Sequence, residues 1–223
     1  MPHQHPDAWP RALALAAAIC ALAVFVAGCN IVAPAFLIAH GPPRIPAVHT
    51  LDRERPTVVL VDTTSANPIR SANRNAIADQ ASKDLQTMAG IESVIDPRSA
   101  QSLAALDRFG AETPLSEIAS AVGAEVVVHV MIDSFSLTPD GQNFLPSSTF
   151  RVKVFDALTG ERVFPDEREG ESVTVTLQQS TRTLPARGAD WNNAEIEFAR
   201  YLGTAVAQLF DEHEQNSSHL RGR

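Results

Sequence analysis

Apolar residues run without a break from 12 to 26, after a short lead whose only Lys or Arg is Arg11. Small residues follow, Ala27 and Gly28, then Cys29. A basic start, a short apolar core and small residues at a cut is the layout of a secretory signal peptide. The competing reading is an uncleaved anchor. That is marginal, because a span needs about 20 apolar residues, and Gly28, Cys29, Asn30 and Pro34 interrupt any extension.

Beyond the leader, the pattern predicts one domain. Residues 29–56 carry Pro34, Pro42, Pro43, Pro46 and Pro56 and read as an extended tether, with a reach of roughly 90 Å at about 3.3 Å per residue. Its apolar first part, 31–39, either touches a bilayer or packs on the domain; packing is preferred for 45–48. Thr57 to Asp62 (TVVLVD) is a continuous apolar run of strand length, suited to burial on both faces. A helix is predicted over 71–89, with Ile77, Ala81, Leu85 and Met88 on one face and Gly90 as its stop. A short strand at 93–95 and a helix at 99–108 follow. Thr113-Pro114 opens another helix, striped by Leu115, Ile118, Ala119 and Val122 and ended by Gly123. Residues 125–136 form the second buried strand. Thr138-Pro139-Asp140-Gly141 is a turn signal. Residues 149–156 alternate, Phe150, Val152 and Val154 against Arg151 and Lys153, as a half-buried strand does. Short strands at 161–164 and 172–178 complete a meander. The last helix is predicted at 192–212, striped by Phe198, Leu202, Ala205 and Leu209, and residues 213–223 read as a flexible tail.

The order β-α-β-α-α-β, then a meander, then a helix defines an α/β (α+β) domain over 57–212. Its mixed sheet is parallel in part and antiparallel at a meander edge, in two or three layers, with the C-terminal helix packed on the sheet. Hydrophobic content of 44% and charged content of 20% are globular values. The net charge of -8 argues against nucleic acid and against direct adhesion to anionic lipid. It survives removal of the leader, because Asp7 and Arg11 leave together.

Val26-Ala27-Gly28-Cys29 resembles the lipobox of bacterial lipoproteins at every position. The resemblance implies removal of residues 1–28, with cleavage between Gly28 and Cys29. It also implies a diacylglyceryl thioether and an N-acyl chain, such as palmitate, on Cys29. Several acyl chains anchor firmly where one is marginal. Cys20 would leave with the leader, so no thiol would remain for a disulfide or a metal site. Asn30, in the position after the lipidated residue, resembles the sorting pattern of Gram-negative lipoproteins addressed to the outer membrane, facing the periplasm.

Three further stretches carry a second resemblance: Val-Val-Leu-Val-Asp at 58–62; Ala89-Gly90 before Val94-Ile95-Asp96; and AVGAEVVVHV at 121–130, followed by FDALTGE at 155–161. They resemble the small α/β domain of envelope lipoproteins such as the penicillin-binding-protein activator, the curli secretion lipoprotein and the N-terminal domain of the Tol–Pal propeller protein. The match covers roughly 57–210. This chain departs from the pattern at Glu125 and His129, and it lacks the curli channel's membrane-spanning hairpins, so pore formation is not implied.

Nucleophile-elbow, phosphate-loop, dinucleotide and His-Glu-x-x-His patterns do not occur in the sequence. Asp62, at the carboxyl end of the first strand, sits where α/β ligand sites form. The alternative role is to anchor its own loop through nearby N–H groups, and that role is preferred. His129 is read as a satisfied strand histidine, having no visible partner for catalysis. Asp166, Glu167, Glu169 and Glu171, beside Arg162 and Arg168, are read as a solvated connection rather than a cation site. The expectation is therefore a non-enzymatic, lipid-anchored interaction module for an envelope protein partner, without cofactor or metal. Alternatives are an assembly or transport-accessory lipoprotein, as a homo-oligomer, and a hydrolase using Asp62.

Overall fold

The apolar run at 58–61 becomes a strand sealed on both sides: Val58, Val59, Leu60 and Val61 are each at most 1% exposed. In the computed structural model, residues 44–106, 113–177, 188–214 and 220–221 are described; the leader, Gly28 and Cys29 lie outside them. The elements in order are β1 (Arg44–Ile45), β2 (Thr57–Thr63), α1 (Ser71–Thr87), α2 (Pro97–Leu106), α3 (Leu115–Val122), β3 (Val126–Ser136), β4 (Ser147–Asp156), β5 (Arg162–Phe164), β6 (Glu171–Thr176), α4 (Ala189–Gln208), β7 (His213–Glu214) and β8 (Leu220–Arg221).

The sheet runs β2-β3-β4-β6-β8, with β5 beside β4. β2 and β3 are parallel, and the remaining pairs of this sheet are antiparallel. This is the mixed sheet that the pattern predicts. Register decides which residues share a face, since side chains alternate along a strand. Val59, Val128 and Val154 form one cross-strand row, and Val61, Val130 and Val152 the next. These rows pack against Ile77, Ala81 and Leu85 of α1 and Phe198, Leu202 and Val206 of α4 in one continuous core.

The α1–α4 contact is close. A Cβ on Gly203 would lie 2.5 Å from the Ile77 carbonyl oxygen and 2.9 Å from the Ala81 nitrogen, so only glycine fits there. Beside it, the Asp84 carboxylate accepts hydrogen bonds from Thr204 Oγ1 at 2.6 Å and from Gln80 Nε2 at 2.9 Å. The opposite face holds a smaller cluster, in which Val58, Leu60 and Val127 meet Ala100 of α2 and Ile118 and Ala119 of α3.

Several local details differ from the sequence expectation. Val94 makes an isolated parallel bridge to Thr57 rather than a strand. α2 begins at Pro97, which supplies the preset backbone of a first helical turn. α3 ends on Gly123 in the left-handed conformation, φ 78°, as Gly stops do.

The segment before β2 is part of the packed domain. β1 pairs with β7, Arg44 opposite Glu214. The Val48 N–H donates to the Leu209 carbonyl at 2.8 Å, the His49 ring stacks on Phe164 with centroids 4.8 Å apart, and Leu51 is buried in the main core. Val48 itself is 50% exposed, and contacts to the domain continue through Arg55. At the other end, β7 and β8 give the predicted tail ladder partners, β8 on Thr174 and Val175. Among the described residues, no helix is long and apolar enough to cross a membrane.

Candidate functional site

The two faces of β2 and β3 diverge toward the carboxyl end of β2. Along the α2/α3 face the cross-strand rows read Val58–Val127–Phe155, then Leu60–His129–Lys153, then Asp62–Met131–Arg151. The first row is apolar and lies under the helices. The last two carry charge, at the strand end where α/β folds place ligands.

Asp62 and His129 meet there. His129 Nε2 lies 2.8 Å from Asp62 Oδ2, the imidazole side chain 13% exposed and the carboxylate 35%. With Nε2–H as donor, the neutral imidazole donates to the carboxylate. The edge of Phe155 flanks the imidazole at 6.4 Å. Asp62 thus takes a partner from the neighbouring strand, where the sequence suggested its own loop. His129 has the partner that the sequence did not reveal.

The pair opens into a pocket of about 500 Å3. Leu60, Leu115, Ile118 and Met131 form an apolar wall; Thr63 and Thr113 line the polar end with the pair. That volume is in the range of small-molecule sites. Among the described residues, no group of three His, Cys, Asp or Glu side chains could hold a metal ion.

Beyond the pocket the same face is polar and less covered. A register shift around Asp133 lets its carboxylate receive both Nε and Nη2 of Arg151, at 2.8 and 2.7 Å. These hydrogen bonds hold the Arg151 guanidinium above its usual pKa. Lys153 is lowered, first by burial and then by neighbouring Arg151 and Arg162. Thr149 and Thr174 bond across β4 and β6 at 3.1 Å. Asp166 to Glu169 are exposed, and Arg162 donates to the Arg168 and Asp166 carbonyls, as a solvated connection tied to its own hairpin would.

A second cluster went unseen in the sequence. Arg55 sends Nε to Glu125 at 3.0 Å, Nη1 to Asp156 at 2.9 Å, and Nη2 to the Glu125 carbonyl. The Asp156 and Glu125 hydrogen bonds raise the Arg55 pKa, and the Arg55 bond is the leading cause that lowers Asp156. Asp156 Oδ1 also accepts the Leu158 and Thr159 N–H groups, which explains the FDALTG stretch as a turn. Glu125, one of the departures from the family pattern, is the other arm of this clamp.

No family model matches the chain, and no curated relative matches it. Among solved structures, it is similar to a PelC dodecamer subunit from Paraburkholderia phytofirmans, at 15% identity and TM-score 0.42, covering 76% of this chain and 96% of that one. The hypothetical protein CT253 from Chlamydia trachomatis aligns at 16% identity and TM-score 0.41, over 70% of this chain and 97% of its own. Lipoprotein GNA1162 from Neisseria meningitidis aligns at 6% identity and TM-score 0.37, over 63% and 91%. Similarity this distant assigns no role to any residue here.

Proposed function

We propose that this chain is an exported lipoprotein, cleaved before Cys29 and acylated there, whose domain is a non-enzymatic interaction module for an envelope partner. Outer-membrane anchoring facing the periplasm is part of the proposal and rests on Asn30. The observation that carries the module reading is the uneven cover of the sheet. α1 and α4 close one face over its main core, whereas α2 and α3 pack on the β2 end of the other. Ser172 and Thr174 stay exposed on β6, and Thr149, Arg151 and Lys153 partly so on β4. A flat surface of hydroxyls with a fixed guanidinium suits a protein partner with acceptor groups.

The test has two parts. Cys29→Ser is expected to move the protein from the membrane to the soluble fraction, with loss of the acyl mass. A photo-crosslinking residue at Thr174 is expected to capture an envelope protein in living cells, and the same residue at exposed Lys83 on α1 is not. Retention of Cys29→Ser in the membrane would refute the anchor. Equal capture from both positions would refute the docking face. Capture of a second copy alone would favour the assembly reading.

Hydrolysis at Asp62 has one observation in its favour, the 2.8 Å contact with His129, which is an oriented base pair. Turnover lost in Asp62→Asn, with folding intact, would establish it.

A further inference from the structure

We propose that the pocket at the carboxyl end of β2 binds a small organic cation, a primary ammonium carried on a short apolar stem. This goes beyond the docking role and rests on the chemistry of the pocket itself.

Among the described lining residues, Asp62 is the one carboxylate, and Leu60, Leu115, Ile118 and Met131 supply hydrocarbon. Asp62 gives one oxygen to His129 Nε2. A carboxylate accepts several hydrogen bonds, so capacity remains for a donor brought by a ligand. The imidazole fixes the carboxylate's orientation, which is a positioning role.

Three other ligand classes fit less well. An anion would meet the Asp62 charge head-on. Among the described residues, a metal ion would find only a carboxylate and an imidazole, fewer than the three protein ligands of ordinary zinc sites. A purely apolar molecule would displace water from the carboxylate and return no donor, at a desolvation cost. An ammonium group supplies a charge-assisted hydrogen bond to Asp62. Its stem would lie on Leu60, Leu115, Ile118 and Met131.

Among the described residues, the nearby cations are engaged away from Asp62. Arg151 is held by its fork on Asp133. Lys153 stands on β4 opposite His129, two strands from β2, or roughly 10 Å at sheet spacing.

The test is calorimetric titration of the full chain, in neutral detergent with micelle blanks, using hexylammonium, hexanol and hexanoate. Hexylammonium is expected to bind at least about tenfold more tightly than hexanol, the scale of one charge-assisted contact, and hexanoate not to bind. Asp62→Asn is expected to bring hexylammonium down to the level of hexanol while its melt stays cooperative. Met131→Gln is expected to weaken hexylammonium and hexanol together. Hexanol binding as tightly as hexylammonium, an Asp62→Asn protein that binds the ammonium undiminished, or no saturable binding would each overturn the proposal. Should Asp62→Asn not fold, the ranking of the three compounds on the unsubstituted chain decides alone.

Discussion

The two faces of one sheet obey different rules. Toward α1 and α4, the two central cross-strand rows, Val59–Val128–Val154 and Val61–Val130–Val152, are apolar from β2 to β4, the helices approach until only Gly203 fits, and the Asp84 carboxylate is bonded by both helices. Toward α2 and α3, apolar cover gives way within two rows to Asp62, His129, Lys153 and Arg151. The first face is built for stability and tolerates little. The second spends part of its area on half-buried polar side chains, the kind of lining that small-molecule sites use.

That contrast can be broken in order of effect. Phe150→Ala, in the closed face, is expected to cost about 3–5 kcal/mol in urea unfolding. Gly203→Ala, which forces α1 and α4 apart, is expected to cost about 1–3 kcal/mol. Arg55→Ala is expected to lower the unfolding midpoint by a few degrees, because two carboxylates lose their shared partner. Its pH dependence has a definite sign. Asp156 is lowered from 3.8 in the folded state, so its stabilisation is complete above that value and lost as pH falls through the folded one. Melts of the unsubstituted and Arg55→Ala proteins should converge in acid. On the open face, Asp62→Asn should change stability by about 1 kcal/mol or less. A larger loss would mean that the pair is structural and the contrast false.

The smallest effect belongs to His49, whose pKa burial lowers from 6.5. The unfolded chain therefore binds the proton more readily. Stability contributed by the neutral ring is fully present above 6.5 and declines as pH falls from there toward the folded value. A slight fall in melting temperature over that window should vanish in His49→Gln.

Local order was legible in the sequence where one short window contains the cause. The runs at Val58–Val61 and 126–128 announced strands buried twice over, the Ile77–Ala81–Leu85 stripe announced α1, and Gly123 announced a stop. What escaped was set by register. Asp62 and His129 are far apart along the chain, and only the alignment of Leu60 with His129 brings them together. Arg55 looked like tether because its partners, Glu125 just before β3 and Asp156 at the end of β4, lie far along the chain. The docked segment from Arg44 to Arg55 has no periodicity to read; a buried leucine, a stacked imidazole, a two-residue ladder, backbone bonds to Leu209 and the Arg55 clamp hold it.

That docked segment also sets a distance. Were Cys29 acylated, as proposed, the sequence between the anchor and β1 would be residues 30–43. Fully drawn out at about 3.3 Å per residue, such a leash spans roughly 50 Å, little more than half of what the proline-rich stretch promised. Under the proposed anchor, a partner would meet this domain within that reach of the lipid surface.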